Sequence, residues 1–294
     1  MRLKTILFTL ALTAISSVSA KDYHFTTVKG DVMQTRIYTL DNGLKVYMSV
    51  NKEQPRLQAN IVVRTGSRND PAETTGLAHY LEHLMFKGTQ QFGTTDYAKE
   101  KPYLDEIERR YEYYRTLTDP TQRKNAYHEI DSVSQLAARY NIPNEYDKLM
   151  ASIGSEGSNA YTSNDVTCYV ENIPSNEIAN WARIQADRFR NMIIRGFHTE
   201  LEAVYEEKNI SMGSDGTKEY AALWKLLTPT HPYGTQTTIG EQEHLKNPSI
   251  VNIKNYFHRY YVPNNVAIAL AGDFDPDATI AVIDKYFGTW KAGK

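Results

Sequence analysis

The sequence holds a single cysteine, Cys168, so no internal disulfide can close, and stability must come from packing and from any metal the chain binds. Cys168 lies in the alternating run Asp165-Val166-Thr167-Cys168-Tyr169-Val170 and reads as a strand residue rather than a nucleophile. An excess of charge of either sign is also missing. With 33 basic against 35 acidic residues and 8 histidines, no long-range field points to nucleic acid or to an anionic membrane. There is no low-complexity tract and no short repeat. The 41% hydrophobic content excludes disorder as the default and suits a globular core.

The N-terminus stands apart. Arg2 and Lys4 precede an apolar run over 6–15, and Val18-Ser19-Ala20 follows, in the order of a secretory signal peptide cleaved after Ala20. The run is short for a bilayer span, so an uncleaved anchor is the competing reading. No cysteine flanks the cleavage site, which excludes lipid attachment there. The expectation is a signal peptide over 1–20 and an exported chain over 21–294, periplasmic or extracellular, with no stable membrane span.

Residues 35–40 and 44–50 are β-rich runs joined by Asp41-Asn42-Gly43, and 57–64 is a third, which predicts a hairpin meander. A helix is expected over 75–87, capped by Thr74 or Thr75 and ended by Gly88. Residues 97–150 are crowded with Glu, Arg, Lys and Tyr at helical spacings and broken at Asp119-Pro120 and Ile142-Pro143, and read as helices on the domain rim, an inserted element. Strand pattern returns over 159–173. Helices follow over 175–192, with Trp181, Ile184, Ala186 and Phe189 on the buried side, and over 199–212. A helix over 250–260, a strand over 266–271 and a helix over 277–287 complete the chain. This order predicts an α+β fold, a mixed or antiparallel sheet with helices packed on one side.

The segment Gly76-Leu77-Ala78-His79-Tyr80-Leu81-Glu82-His83-Leu84-Met85-Phe86 sets three ionisable groups in an otherwise apolar helix. His79 and His83 are one turn apart with Glu82 beside them, so all three project from one face. Buried without partners, they would cost about 1 to 3 kcal/mol each. A bound cation removes most of that penalty. His at i and i+4 offers two imidazole nitrogens to one zinc, and a neighbouring glutamate can take a proton from water on that metal. The spelling H-x-x-E-H is the inverted form of H-E-x-x-H. The alternative is a core helix whose histidines bond to backbone.

Zinc needs a third protein ligand, and the candidates lie between Thr199 and Asn209. Glu200 and Glu207 fall within about 20° of each other on a helical wheel, whereas Glu206 points away. Glu207 as ligand with Glu200 behind it is one reading; a solvated acidic face is the other.

At these residues the chain resembles the pitrilysin and insulysin family, which includes mitochondrial processing peptidases and bacterial periplasmic zinc proteases. The matching segments are Gly76 to His83 with Phe86-Lys87-Gly88-Thr89, Glu200 through Glu207, Asn159-Ala160-Tyr161-Thr162-Ser163 and Ala186-Asp187-Arg188-Phe189. His231-Pro232-Tyr233, Tyr261-Val262-Pro263-Asn264-Asn265 and Ala271-Gly272-Asp273-Phe274 also match. The resemblance implies that 21–294 is the N-terminal domain of a zinc endopeptidase acting on peptides or small unfolded proteins. It implies one zinc per chain on His79, His83 and Glu207, with Glu82 as general base and Glu200 as supporting carboxylate. It also implies that Asn159, Ala160 and Tyr161 form an edge strand that pairs with an extended substrate, a role an unpaired edge can play for many peptides.

Two departures from the family pattern stand out. The gap between His83 and Glu207 is long, and its excess falls in 97–150. The family builds a closed chamber from paired homologous domains, so a second domain is expected, in the same chain or on another subunit. The rivals to a peptidase are a non-catalytic structural or substrate-binding partner of a homologous subunit, and a metal-binding protein without hydrolytic activity.

Overall fold

A computed structural model describes residues 21–294; the expected signal peptide over 1–20 lies outside the described residues. The strands are β1 (Phe25–Thr26), β2 (Arg36–Thr39), β3 (Lys45–Val50), β4 (Arg56–Val63), β5 (Glu156–Thr162), β6 (Thr167–Pro174) and β7 (Val266–Gly272). The helices are α1 (Leu77–Leu84), α2 (Tyr97–Tyr114), α3 (Pro120–Ala138), α4 (Glu145–Ser152), α5 (Ile178–Asn191) and α6 (Phe197–Met212). They continue with α7 (Asp215–Leu227), α8 (Pro232–Thr235), α9 (Gln242–Leu245), α10 (Ile250–Tyr260) and α11 (Pro276–Phe287). Among the described residues no helix is long and apolar enough to cross a membrane.

The seven strands form one mixed sheet in the order β1-β2-β3-β7-β4-β6-β5. Along β4, Leu57, Ala59, Ile61 and Val63 are buried while the intervening residues are half-exposed. One sheet face is therefore covered and the other open, as expected for helices on one side.

The predicted hairpin between β2 and β3 forms around Gly43, whose φ of 85° suits a tight turn. Asn42 ties that turn to the end of α11 by donating to the carbonyls of Phe287 and Trp290 at 2.9 and 3.0 Å. The meander does not continue. β7 inserts between β3 and β4, parallel to the first and antiparallel to the second. A parallel neighbour needs a long crossover, which the intervening helices supply, and β7 buries Val266, Ile268 and Leu270 at the sheet centre.

Three other expectations shift. α1 starts at Leu77 rather than 75, because Gly76 takes φ 85° and the Thr75 hydroxyl bonds His244 Nδ1 at 2.7 Å instead of capping. On α5 the buried side is Trp181, Ala182, Gln185, Ala186 and Phe189, with Ile184 at its edge. The helices α2, α3 and α4 occupy 97–150 but are not merely on the rim. Ile107, Tyr111, Ile130, Tyr146 and Met150 join the common core, and α2 sends Glu100 into a buried bidentate pair with Arg195, at 2.6 and 2.8 Å.

Candidate metal centre

The face of α1 predicted from the His spacing meets the face of α6 predicted from the Glu spacing. His79 Nε2 and His83 Nε2 stand 3.2 Å apart, and Glu207 Oε2 lies 3.8 Å from each. These three residues are a cluster with metal-ligand spacing among the described residues. Ligand atoms about 2.0 to 2.1 Å from a tetrahedral zinc lie about 3.3 Å apart, so the donor set fits that ion with small closing movements.

The surroundings prepare the donors. Glu200 Oε1 accepts from His83 Nδ1 at 2.8 Å, which leaves the Nε2 lone pair facing His79 and Glu207. Lys87 pairs with the other oxygen of Glu200. Burial opposes the Glu200 charge, but the hydrogen bonds from His83 and Lys87 outweigh it and hold the carboxyl at about 2. For His83, burial acts downward, yet the bond to Glu200 and the nearby carboxylates raise its pKa on balance. Burial, with His83 beside it, lowers His79 to about 4, which keeps that ring neutral and able to donate a lone pair. His79 Nδ1 is buried with no hydrogen-bond partner.

Glu82 is 7% exposed, and burial raises its pKa against the opposing bond from Thr162 Oγ1 to its Oε2. A carboxyl raised in this way is suited to taking a proton near neutral pH. Glu206 is exposed and accepts from Asn209 Nδ2 at 3.2 Å, off the face that carries Glu200 and Glu207.

β5 is an outermost strand of the sheet. Asn159, Ala160 and Tyr161 lie within it, opposite Val170, Tyr169 and Cys168 of β6. Asn159 and Tyr161 are exposed, whereas Ala160 packs against the core. Thr162, next along β5, touches Glu82, so the strand edge and the carboxylate adjoin.

Sequence reasoning assigned no role to Thr162, Lys87, Asp70 or Arg188. Asp70 Oδ2 and Oδ1 accept from the backbone N–H groups of Gly76 and Ala78 at 2.7 and 3.0 Å. Arg188 is fully buried against the rings of Phe86, Tyr146 and Tyr169 and donates from Nε to the Met85 carbonyl at 3.0 Å. Lys87, Thr162 and Arg188 stand in segments that carry the family resemblance, the one signal that could have singled them out. A cavity of about 340 Å³ elsewhere, between α2, α3 and α10, is not lined by His79, Glu82, His83 or Glu207.

The family model "Insulinase (Peptidase family M16)" matches residues 45–101, and "Peptidase M16 inactive domain" matches residues 250–294. An "Uncharacterized zinc protease YmxG" of Bacillus subtilis is 26% identical over 260 residues, covering 87% of this chain and 50% of the relative. A "Probable mitochondrial-processing peptidase subunit beta" of Arabidopsis thaliana is 22% identical, covering 86% of this chain and 39% of the relative. The chain thus spans about half the length, or less, of these curated relatives. Among solved structures, a protease from Helicobacter pylori shares the fold at a TM-score of 0.67 and 22% identity, over 90% of this chain and 52% of the other. The first half of the periplasmic protease PqqL from Escherichia coli aligns at 0.65 and 18% identity, over 88% of this chain and 47% of the other. Pitrilysin aligns at 0.64 and 18%, over 92% of this chain and 25% of the other.

Proposed function

This chain belongs to the pitrilysin and insulysin family of zinc metallopeptidases, and on that premise we propose that it is the metal-bearing half of a zinc endopeptidase that hydrolyses peptides or small unfolded proteins. His79, His83 and Glu207 hold one zinc, and Glu82 is the general base. The observation that carries this reading is the convergence of three donor atoms at 3.2 to 3.8 Å beside a buried carboxylate with a raised pKa.

When bound, zinc supplies a Lewis acid for the scissile carbonyl and makes water acidic enough to yield a proton near neutral pH. The chain's own residues do the rest. Glu82 takes the proton of the attacking water and passes it to the departing amine. Thr162 holds one oxygen of Glu82, which aims the other. Glu200 keeps His83 in the tautomer that presents Nε2. Asn159, Ala160 and Tyr161 offer unpaired backbone at the sheet edge, to which an extended peptide adds as a further strand.

Two further parts of the reading concern the whole protein. The segment 1–20 directs export to the periplasm or the extracellular space. A second homologous domain, in cis or in trans, closes the other side of the chamber, in keeping with relatives about twice this length. Closure limits bulk water and positions the scissile bond, on which fast hydrolysis depends.

The deciding experiment combines metal content by mass spectrometry with turnover of a mixed peptide library, by the chain alone and with a homologous second domain from the same source. Zinc near one per chain, and turnover raised by the second domain, is expected. Zinc without turnover in either preparation would assign the chain to the non-catalytic partners instead.

A further inference from the structure

The helix that carries two of the three metal donors, His79 and His83, is only two turns long, and it does not cap itself. An isolated helix of this length is unstable in water. Its N-cap position is Gly76, which has no side chain to accept the free N–H groups of the first turn. Asp70, from the loop upstream and only 5% exposed, accepts them instead, one oxygen for Gly76 and the other for Ala78. Ala78 immediately precedes His79. The loop is itself secured: Asp70 N–H donates to the Ser67 carbonyl at 3.1 Å, and Gln236 Nε2 donates to the Asp70 carbonyl at 3.2 Å. At the opposite end, Arg188 donates to Met85 O, and Arg195 donates to Lys87 O at 2.8 Å. A buried carboxyl thus stands at the N-terminus of α1 and the buried guanidinium of Arg188 at its C-cap, the arrangement that a helix dipole favours.

His79 sits in the first turn and His83 one turn later, so fraying from the N-terminus displaces one donor and leaves the other. A metal site loosened by about 1 Å loses much of its affinity. We propose that Asp70 is a positioning residue for the metal centre, its carboxylate fixing the first turn of α1 and so holding His79 in register with His83. This rests on the reading of His79, His83 and Glu207 as a metal site, and it assigns Asp70 a role that acts through the helix, without contact with the metal or the substrate.

The test is the zinc dissociation constant, by chelator competition, of the parent chain, Asp70→Asn and Asp275→Asn. Asparagine keeps the shape of Asp70 but turns an NH2 group toward one of the two N–H donors. Asp275 caps α11 in a similar way, its Oδ1 accepting from Ala278 N–H at 2.8 Å, on a helix with no metal donor. Burial raises the Asp70 carboxyl to about 7 against the pull of the backbone N–H groups, so the comparison is made at pH 8. Asp70→Asn is expected to weaken zinc binding by about tenfold or more, and Asp275→Asn to leave it unchanged. Linkage is reciprocal: if the cap favours zinc, zinc favours the cap. Amide exchange of the parent chain therefore gives a second readout that does not depend on any variant folding, with zinc slowing Gly76 and Ala78 more than Ala278. Parental affinity in folded Asp70→Asn, or exchange at Gly76 and Ala78 indifferent to zinc, overturns the proposal. A parent chain that binds no zinc overturns the metal-site reading and this proposal together.

Discussion

Glu200 and His83 are joined by a 2.8 Å hydrogen bond from Nδ1 to Oε1, and Lys87 holds the other oxygen of the same carboxylate. One side chain of α6 thereby sets both the tautomer and the orientation of a donor on α1, while Glu207, two turns on, faces the same point from the same helix. Both carboxylates that face the histidines come from one element, so the two helices meet as a unit.

That meeting predicts a difference between adjacent glutamates. Glu207→Gln should weaken zinc binding severely, whereas Glu206→Gln, on an exposed side chain bonded to Asn209, should leave it unchanged. Zinc content after dialysis against a weak chelator reads the difference. Equal loss in both variants would defeat the facing argument, and loss at 206 alone would move the third donor by one position.

Glu82→Gln should keep zinc and fold while peptide turnover falls by about a hundredfold or more, since the amide retains the shape but accepts no proton. Metal content and turnover on one preparation decide it. Activity close to the parent's would mean that another group serves as base.

Thr162→Val should lower kcat by about tenfold and leave zinc content and KM near the parent's, because it removes a hydrogen bond to a carboxylate without changing the strand. Thr162→Ser should restore most of the rate. A variant with unchanged kcat would show that Glu82 is aimed without the hydroxyl.

The acid limb of stability carries a signature of Glu200. Its carboxyl is held at about 2 against an ordinary 4.5. A carboxyl depressed in the folded state contributes stability that is present above the unfolded value and lost as pH falls through the folded one. The metal-free parent should lose up to about 3 kcal/mol through this group between pH 4.5 and 2, and Glu200→Gln correspondingly less. Urea unfolding at both ends of that window measures it; equal losses in the two proteins would exclude the pairing as a source of stability.

Glu100→Gln should destabilise the fold by about 3 kcal/mol or more, because it leaves the guanidinium of Arg195 buried without its counter-charge. Thermal unfolding of the variant beside an exposed control, Glu53→Gln, reads the effect. A shift no larger than the control's would show that the pair is not what joins α2 to the core.

Much of the candidate site was legible because its spacing is local. A helix brings residues four apart to one face, so His79 and His83 converge wherever α1 packs, and a two-turn interval does the same for Glu200 and Glu207. The hairpin at Gly43 and the helix α10 are equally local, set by turn chemistry and by a periodic apolar side. The helix α7 was not predicted, although Tyr220, Leu223, Trp224 and Leu227 recur at helical spacing; the structure leaves Tyr220, Leu223, Leu226 and Leu227 exposed. The order of strands was not legible either. Strand β7 separates β3 from β4 although those two are neighbours in the chain, since backbone pairing carries no sequence label and the choice is made by which strand buries its apolar face at the sheet centre. The same holds for Thr162 on Glu82 and for Asp70 on Gly76 and Ala78. The first contact joins segments far apart in sequence; the second bridges a loop whose turn cannot be inferred from composition. Sequence alone determined which side chains could bind a metal from α1 and α6. Tertiary packing determined that the two faces meet, that Glu200 holds His83, and which strand edge lies open beside them, because those outcomes depend on contacts between elements that no local period encodes.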